Sequence, residues 1–358
     1  MAQITASAIQ QPVIARQPVQ FELGIAVPAS HQPANESLGL KLGWDFAHHG
    51  QTPPVEHLFA ASPLRQGWQA GKATFGHRTL RSNRHTQMWL LLRAYAWSRG
   101  RSFEDVQLTP NYLQQIDVSH CPITRALLND CRGDDHARSV DRVRDNAAYA
   151  AGNVVVMSRA ANVAKAQHSH ASASTVMADN TTMSAAEWQR IAVLTSFVTE
   201  LPHAEAALIP MTVMPPNRLR LFNPVQALQA LITRQLATPG WSARLARLEA
   251  LLPNDALRGD FNRFVLAIAP RVLAVQHLND ALPIRWALED AWAQPLIQKR
   301  WARFALQLTA AQAEVLVRRA AAQKLVSSMH IQQHAAAGAT DGWALERNGF
   351  CGPSAIVH

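Results

Sequence analysis

Proline and capping residues mark helix starts throughout the second half of the chain. Four prolines stand at or near the first position of apolar segments, where the N–H that proline lacks has no intrahelical partner: Pro224, Pro270, Pro283 and Pro295. Ser184-Ala-Ala-Glu187 and Thr309-Ala-Ala-Gln312 have the spacing of capping boxes, which open helices. Separate helices are predicted on either side of Pro270, near 256–268 and 270–278. These helix-start signals predict an all-helical domain over residues 184–335.

The rest of the chain divides by composition. Residues 1–37 are rich in Gln, Pro and Ala, which is typical of a flexible arm. Residues 38–117 form a basic, aromatic region that is expected to be mainly helical, with a buried helix at Thr86–Trp97. Residues 118–170 alternate short apolar pieces with Asp and Gly, which favours small β elements followed by a helix. A linker is expected at 171–183 and an irregular tail at 336–358. The predicted fold class is mainly α with a small α+β insert.

Composition limits the partners and the compartment. The 358 residues include 34 Lys and Arg against 25 Asp and Glu, a formal net charge of +9. This balance favours a polyanionic partner, although an Arg- and Ala-rich composition also arises in GC-rich genomes. Three cysteines without paired spacing, no recognisable leader and no long apolar run predict a cytoplasmic protein away from membranes.

A basic stretch precedes the predicted β elements. No acidic residue lies between Glu56 and Glu104, whereas this interval holds eight cations: Arg65, Lys72, Arg78, Arg81, Arg84, Arg93, Arg99 and Arg101. Gly67, Gly71 and Gly76 among them are expected to let a phosphate backbone approach. The alternative is the solvated face of a helical domain. The nucleic-acid interpretation is preferred because the stretch leads directly into the next segment.

Four short motifs follow one another within residues 120–165. They read His120-Cys-Pro-Ile-Thr124, Ser139-Val-Asp-Arg-Val143, Tyr149-Ala-Ala-Gly-Asn-Val154 and Asn162-Val-Ala-Lys165. Their order and spacing resemble the HNH, or His-Me finger, endonucleases, whose core is a ββα-metal module. The resemblance covers about 50 of the 358 residues. It implies two short strands and a helix that hold one divalent ion against a scissile phosphate.

The resemblance also implies roles for individual residues. Asp141 and Asn162 correspond to oxygen ligands of a divalent metal, which is expected to be Mg²⁺ with Mn²⁺ as an alternative. Asn153 corresponds to the residue that positions the connecting loop, and Ser139 lies on the same strand face as Asp141. Three cations of the segment are expected to contact nucleic acid: Arg142, Arg144 and Lys165.

The segment departs from the family at the general base. Where the family has its catalytic histidine, this chain has Arg142, which stays protonated and cannot accept a proton. Arg142 is therefore expected to bind phosphate or stabilise the transition state. His136 is the first candidate for the base, with His168 and His170 as alternatives. The two Cys-x-x-Cys pairs of zinc-binding relatives are missing, so structural zinc is not expected.

Three functions remain open at this level. The leading hypothesis is a metal-dependent endonuclease that hydrolyses DNA, with RNA left open and the C-terminal domain serving targeting, a protein partner or self-association. The first alternative is a catalytically degenerate protein that uses the HNH-like module to bind the nucleic-acid backbone. The second is a helical interaction protein in which the small α/β segment has no role of its own.

Overall fold

A computed structural model of the chain describes residues 32–131, 133–176, 182–278 and 280–345. The prediction of a mainly helical protein with a small β element is confirmed. None of the described helices is long and apolar enough to cross a membrane. The predicted arm over 1–37 falls mostly outside the described residues, but its boundary is wrong because helix α1 begins at Gln32.

The first three helices form a small unit with its own core. They are α1 (Gln32–His48), α2 (Pro63–Phe75) and α3 (Arg84–Ser98). Their shared core holds Leu42, Phe46, Leu64, Leu90 and Ala94. The α3 bounds agree with the helix predicted at Thr86–Trp97. Ser62 and Asn83 cap α2 and α3 by accepting hydrogen bonds from backbone N–H groups.

Helices α1 and α2 cross at glycine residues, and this corrects the expectation that Gly67 and Gly71 let a phosphate backbone approach. A Cβ on Gly43 would lie 2.0 Å from Leu64 O, and a Cβ on Gly67 would lie 2.0 Å from Leu40 O. Gly71 is likewise buried at this crossing, where its Cβ would meet that of Ala47. Gly67 and Gly71 therefore bring two helix backbones together and do not face a phosphate. Gly76 lies in open space with φ +52° at the end of α2.

The segment with the four motifs folds as a β-hairpin followed by a helix. After α4 (Pro110–Ile116) come β1 (Arg138–Arg142), β2 (Val154–Ser158) and α5 (Arg159–Lys165). The strands are antiparallel, with Asp141 opposite Val155. Every residue of β2 is buried. We call residues 118–166 the hairpin module.

Most of the remaining described chain is helical, as predicted. Its elements are α6 (His170–Val176), α7 (Ala185–Ser196), α8 (His203–Leu208), β3 (Arg220–Leu221), α9 (Pro224–Leu236), α10 (Trp241–Glu249), α11 (Asp255–Val275), α12 (Ala281–Trp292), α13 (Pro295–Ala305), α14 (Ala310–Ala322) and β4 (Gln332–Gln333). Both capping boxes are confirmed, at Ser184 and Thr309. The predicted break at Pro270 is wrong, because α11 continues through it. The buried side chains of Ile268 and Val272 flank the proline and hold the helix on the core despite the lost hydrogen bond.

The hairpin module and the helical region share one hydrophobic core. A single cluster of buried residues extends from Leu92 through the β2 valines to Trp343. Two segments predicted as irregular belong to this structure. Part of the expected linker is α6, and Trp343 of the expected tail is fully buried. Residues 346–358 lie outside the described chain. The predicted boundaries thus separate elements that pack together, because the short hairpin has too little apolar surface to form a core alone.

Candidate functional site

The candidate site lies where α5 packs against β1. Ser139 and Asp141 are two residues apart on the strand and therefore face the same side. Asn162 and Lys165 are three residues apart on the helix and also share a face. The two faces meet in register, since the Asn162 side-chain amide donates a hydrogen bond to Ser139 Oγ at 2.6 Å. Lys165 meets Asp141 one step further along.

Asp141 and Lys165 form a buried ion pair. Lys165 Nζ lies 3.0 Å from Asp141 Oδ2, with side-chain exposures of 0% and 8% respectively. The ammonium also donates to the carbonyl oxygen of Arg142 at 2.8 Å and to that of Ala166 at 3.4 Å. Burial raises the pKa of the Asp141 carboxyl, while the Lys165 charge and hydrogen bond oppose this rise. Lys165 was predicted to contact nucleic acid, and this is corrected: its charge is neutralised inside the protein.

These residues do not fit the divalent metal that the resemblance implies. The carboxylate expected to bind Mg²⁺ already faces an ammonium, which would repel a second cation at the same oxygen atoms. The Asn162 side chain points its amide nitrogen at Ser139. A hard cation needs several oxygen ligands around one point. Within the described ranges, no group of three His, Cys, Asp or Glu side chains is arranged to hold a metal ion.

Arg142 points into the protein. Its guanidinium donates to the carbonyl oxygen of Ala147 at 3.0 Å and to Asp145 Oδ1 at 2.7 Å, and it lies 5.0 Å from the ring centre of Tyr149. The residue is 7% exposed. The phosphate contact predicted for Arg142 is therefore corrected, because the buried guanidinium donates its hydrogen bonds to the loop between β1 and β2. Burial raises the pKa of Tyr149 to about 12, so the stacked ring stays neutral.

Asn153 ties together the loop between the strands. Its side-chain amide donates to the carbonyl oxygens of Arg144 at 3.1 Å and Ala148 at 3.0 Å, and its Oδ1 accepts from Arg144 N at 2.9 Å. Asn153 is 0% exposed. This is the geometry of a loop-positioning residue. The Arg144 side chain turns to Asn146 Oδ1 at 2.9 Å, and burial lowers its pKa.

The three candidate bases lie apart from Asp141. His136 is exposed in the turn before β1, and no hydrogen bond or ion pair in the described structure links its ring to Asp141 or Asn162. His168 packs edge-on against Trp188 at 5.6 Å between ring centres. His170 bonds through Nδ1 to the carbonyl oxygen of Ala192 at 2.7 Å. His168 and His170 thus serve the contact between α6 and α7.

The motif around Cys121 forms a tight turn that docks the module. Cys121 N donates to the carbonyl oxygen of Ala126 at 2.9 Å, and the buried Sγ accepts from Ser158 N at 3.3 Å. Arg125, at φ +61°, projects from this turn to Asp290 Oδ1 at 2.7 Å and Glu289 Oε2 at 3.3 Å. This ion-pair cluster joins the hairpin module to α12.

Five cations of the basic stretch are exposed: Lys72, Arg78, Arg81, Arg84 and Arg99. Of these, Arg99 places its guanidinium over the Tyr95 ring at 3.7 Å. Lys72, Arg78 and Arg81 have no carboxylate within ion-pair distance in the part of the chain that the structure describes. We call these three residues the basic surface. The other predicted contacts are partly engaged: Arg65 donates to the carbonyl oxygen of Leu58, Arg84 pairs with Asp117, and Arg93 is buried against Asp45.

The start of α3, which follows the basic surface in the chain, is joined to the hairpin module through Asp117. The Asp117 carboxylate lies within ion-pair distance of Arg84 and His85 at the start of α3 and of Arg138 in β1. Burial acts to raise the pKa of Asp117, but the hydrogen bonds from His85 and Arg138 and the nearby positive charges outweigh it, so that the pKa is lowered. The three cations of the basic surface therefore lie on the segment that leads into this junction.

Sequence reasoning did not find the structural contacts that Lys165, Trp343 and Tyr112 make with the module. The spacing of the residues could have indicated the contact of Lys165 with Asp141. Ser-x-Asp puts two side chains on one face of a strand, and Asn-x-x-Lys puts two side chains on one face of a helix. Trp343 has no such signal, since it lies 192 positions from Ala151, whose carbonyl oxygen accepts its indole N–H at 3.0 Å. Tyr112 also reaches the loop, where its hydroxyl accepts from Gly152 N at 2.7 Å.

Comparison with known proteins identifies no relative: no family model, no curated protein and no solved structure matches this chain.

Proposed function

We propose that the protein binds the phosphate backbone of nucleic acid, with DNA as the first candidate, and that its hairpin module is a catalytically degenerate form of the HNH-like fold. The observation that carries the proposal is the basic surface of Lys72, Arg78 and Arg81. These side chains are exposed, have no ion-pair partner among the described residues and precede in the chain the start of α3, where Arg84 contacts Asp117. Unpaired Lys and Arg side chains on one exposed segment favour contact with phosphates.

Hydrolysis is the less well supported function, because the side chains that it would need already form contacts within the fold. Phosphodiester cleavage needs a metal or a base beside the phosphate. Asp141 is neutralised by Lys165, and Arg142 is bound to the loop. The Asp141 side chain is only 8% exposed, so little of this carboxylate is accessible to a phosphate. The ion pair thus serves to dock α5 on the strand.

Salt-dependent binding of a labelled DNA duplex tests the proposal. Affinity measured by fluorescence anisotropy is expected to fall linearly with salt on a logarithmic scale. Replacing Lys72, Arg78 and Arg81 together with Gln should reduce the slope by roughly three, about one for each lost phosphate contact. A matched triple variant, with Arg271, Lys299 and Arg319 changed to Gln, has the same net charge and should retain the slope. Equal losses in both variants would contradict a specific surface.

A nicking assay separates binding from cleavage. Supercoiled plasmid is incubated with wild type, Asp141→Ala and Arg142→Ala in a series of Mg²⁺ and Mn²⁺ concentrations. No metal-dependent nicking is expected from any of the three proteins. Nicking by the wild type that Asp141→Ala abolishes would establish the metal-dependent endonuclease instead and would overturn the degenerate interpretation.

A further inference from the structure

The helical region contains a cavity that is lined by cations. Its volume is about 490 Å³, and it lies between the end of α9, the first turns of α10 and the segment after α14. Arg234, Arg244 and Lys324 line it together with Thr238, Ser327 and His330. None of the residues that line it is acidic. A volume of this size is typical of small-molecule sites.

Arg234 is the central observation, because the fold gives its charge no partner. Its Nε atom is buried and makes no hydrogen bond. No carboxylate in the described chain lies within ion-pair distance of Arg234, and Arg285 adds a second positive charge nearby. Burial, together with this like charge, lowers the pKa of Arg234 to about 10. A guanidinium in such surroundings destabilises the free protein unless an anion joins it.

The other lining residues complete an environment for an oxyanion. Arg244 and Lys324 bring two more charges, and neither has an ion-pair partner among the residues that the structure describes. The Thr238 and Ser327 hydroxyls can donate to oxygen atoms. Burial and the charge of Arg234 lower the pKa of His330, so this imidazole is neutral at pH 7 and adds no further repulsion. Arginine binds phosphate with paired donors, which suits this geometry.

We propose that this cavity is a binding site for a phosphate-bearing anion, separate from the basic surface. The cavity is larger than one phosphate group needs. At Ala321 it meets a second groove of about 700 Å³, to which Arg218, Arg220 and Arg318 contribute together with one acidic residue, Glu314. A ligand with more than one phosphate, or a phosphate on a larger molecule, fits this arrangement. The phosphate group is the shared chemistry, and its source is either a small molecule or a nucleic-acid backbone.

Pyrophosphate binding to the full-length chain tests the proposal. Calorimetric titration and the melting temperature are compared with sodium chloride at equal ionic strength. Pyrophosphate should bind and raise the melting temperature beyond the chloride effect. The double variant Arg244→Met and Lys324→Met should bind at least tenfold more weakly, since each lost charged hydrogen bond contributes substantially. The matched double variant Arg271→Met and Lys299→Met should bind like wild type.

Two results would overturn the site: equal melting temperatures in pyrophosphate and chloride, or equal affinities of the two double variants. A single-stranded oligonucleotide then distinguishes the sources. If the cavity variant weakens oligonucleotide binding and pyrophosphate displaces the strand, the phosphate belongs to nucleic acid. If only pyrophosphate binding changes, the ligand is a small molecule. The basic-surface triple variant should retain pyrophosphate binding, so failure of one site does not imply failure of the other.

Discussion

Replacing Lys165 with Met isolates the energetics of the buried ion pair. The ammonium is fully buried and lies 3.0 Å from Asp141 Oδ2, so the variant leaves a carboxylate without its counter-charge inside the core. Removing one partner of a buried pair costs about 3–5 kcal/mol. A native protein is stable by only about 5–15 kcal/mol. Lys165→Met is therefore expected to lower the free energy of unfolding by about 3 kcal/mol or more at pH 7.5.

The loss should depend on pH in a defined direction. Without Lys165, burial is opposed mainly by the weaker effect of the Arg142 charge and raises the pKa of Asp141 further above its value in the unfolded chain. Between these two pKa values the native state binds the extra proton, so its stability falls as the pH rises through that window. The deficit of Lys165→Met relative to wild type should accordingly be small near pH 4 and complete at neutral pH.

Urea unfolding, followed by circular dichroism and tryptophan fluorescence, measures these differences. In the Lys165→Met background, Asp141→Asn removes the uncompensated charge and should recover at least half of the loss. The double-mutant cycle then reports a coupling of about 2 kcal/mol. Lys299→Met, on the exposed face of α13, is the control and should change stability by less than about 0.5 kcal/mol. A loss below about 1 kcal/mol for Lys165→Met, or one independent of pH, would refute the reasoning.

Three further predictions follow from particular contacts. Gly152→Ala should cost about 2–3 kcal/mol in urea unfolding, because φ is +88° and the new Cβ would lie 2.4 Å from Arg220 Cγ; a loss under about 0.5 kcal/mol would show that the loop adapts. Asp117→Asn should lower the free energy of unfolding by about 2 kcal/mol at pH 7. This loss should become smaller below about pH 4, because a carboxyl with a lowered pKa stabilises the fold only while it is ionised. A deficit that persists unchanged in acid would contradict this. Arg234→Met should raise the melting temperature of the ligand-free protein by a few degrees, since it removes an unpaired buried charge; a lower melting temperature would show that the guanidinium stabilises the fold without a ligand.

Local sequence determined the helical character of this protein and several of its helix ends. Prolines at the first helical position and capping boxes satisfy or remove backbone N–H groups within a few residues of the chain. The predictions at Ser184 and Thr309 depended on such short-range chemistry, and the prediction at Thr86–Trp97 depended on the density of apolar residues; all three agree with the structure. The break predicted at Pro270 failed because burial of α11 on one face outweighs a single missing hydrogen bond.

Tertiary structure decided which charges are available for function. Sequence placed Asp141, Arg142 and Lys165 in two of the four motifs but could not decide whether Asp141 binds a metal ion or forms an ion pair, because a carboxylate can do either. Only the packing of α5 on β1 assigns Lys165 to Asp141, and only the folded loop assigns Arg142 to the carbonyl oxygen of Ala147. The cationic cavity around Arg234 lay outside any sequence signal, since its walls come from residues 234–244 and from residues 321–330, which are far apart in the chain. Electrostatic interactions depend on distance and burial, and neither is defined until distant parts of the chain meet.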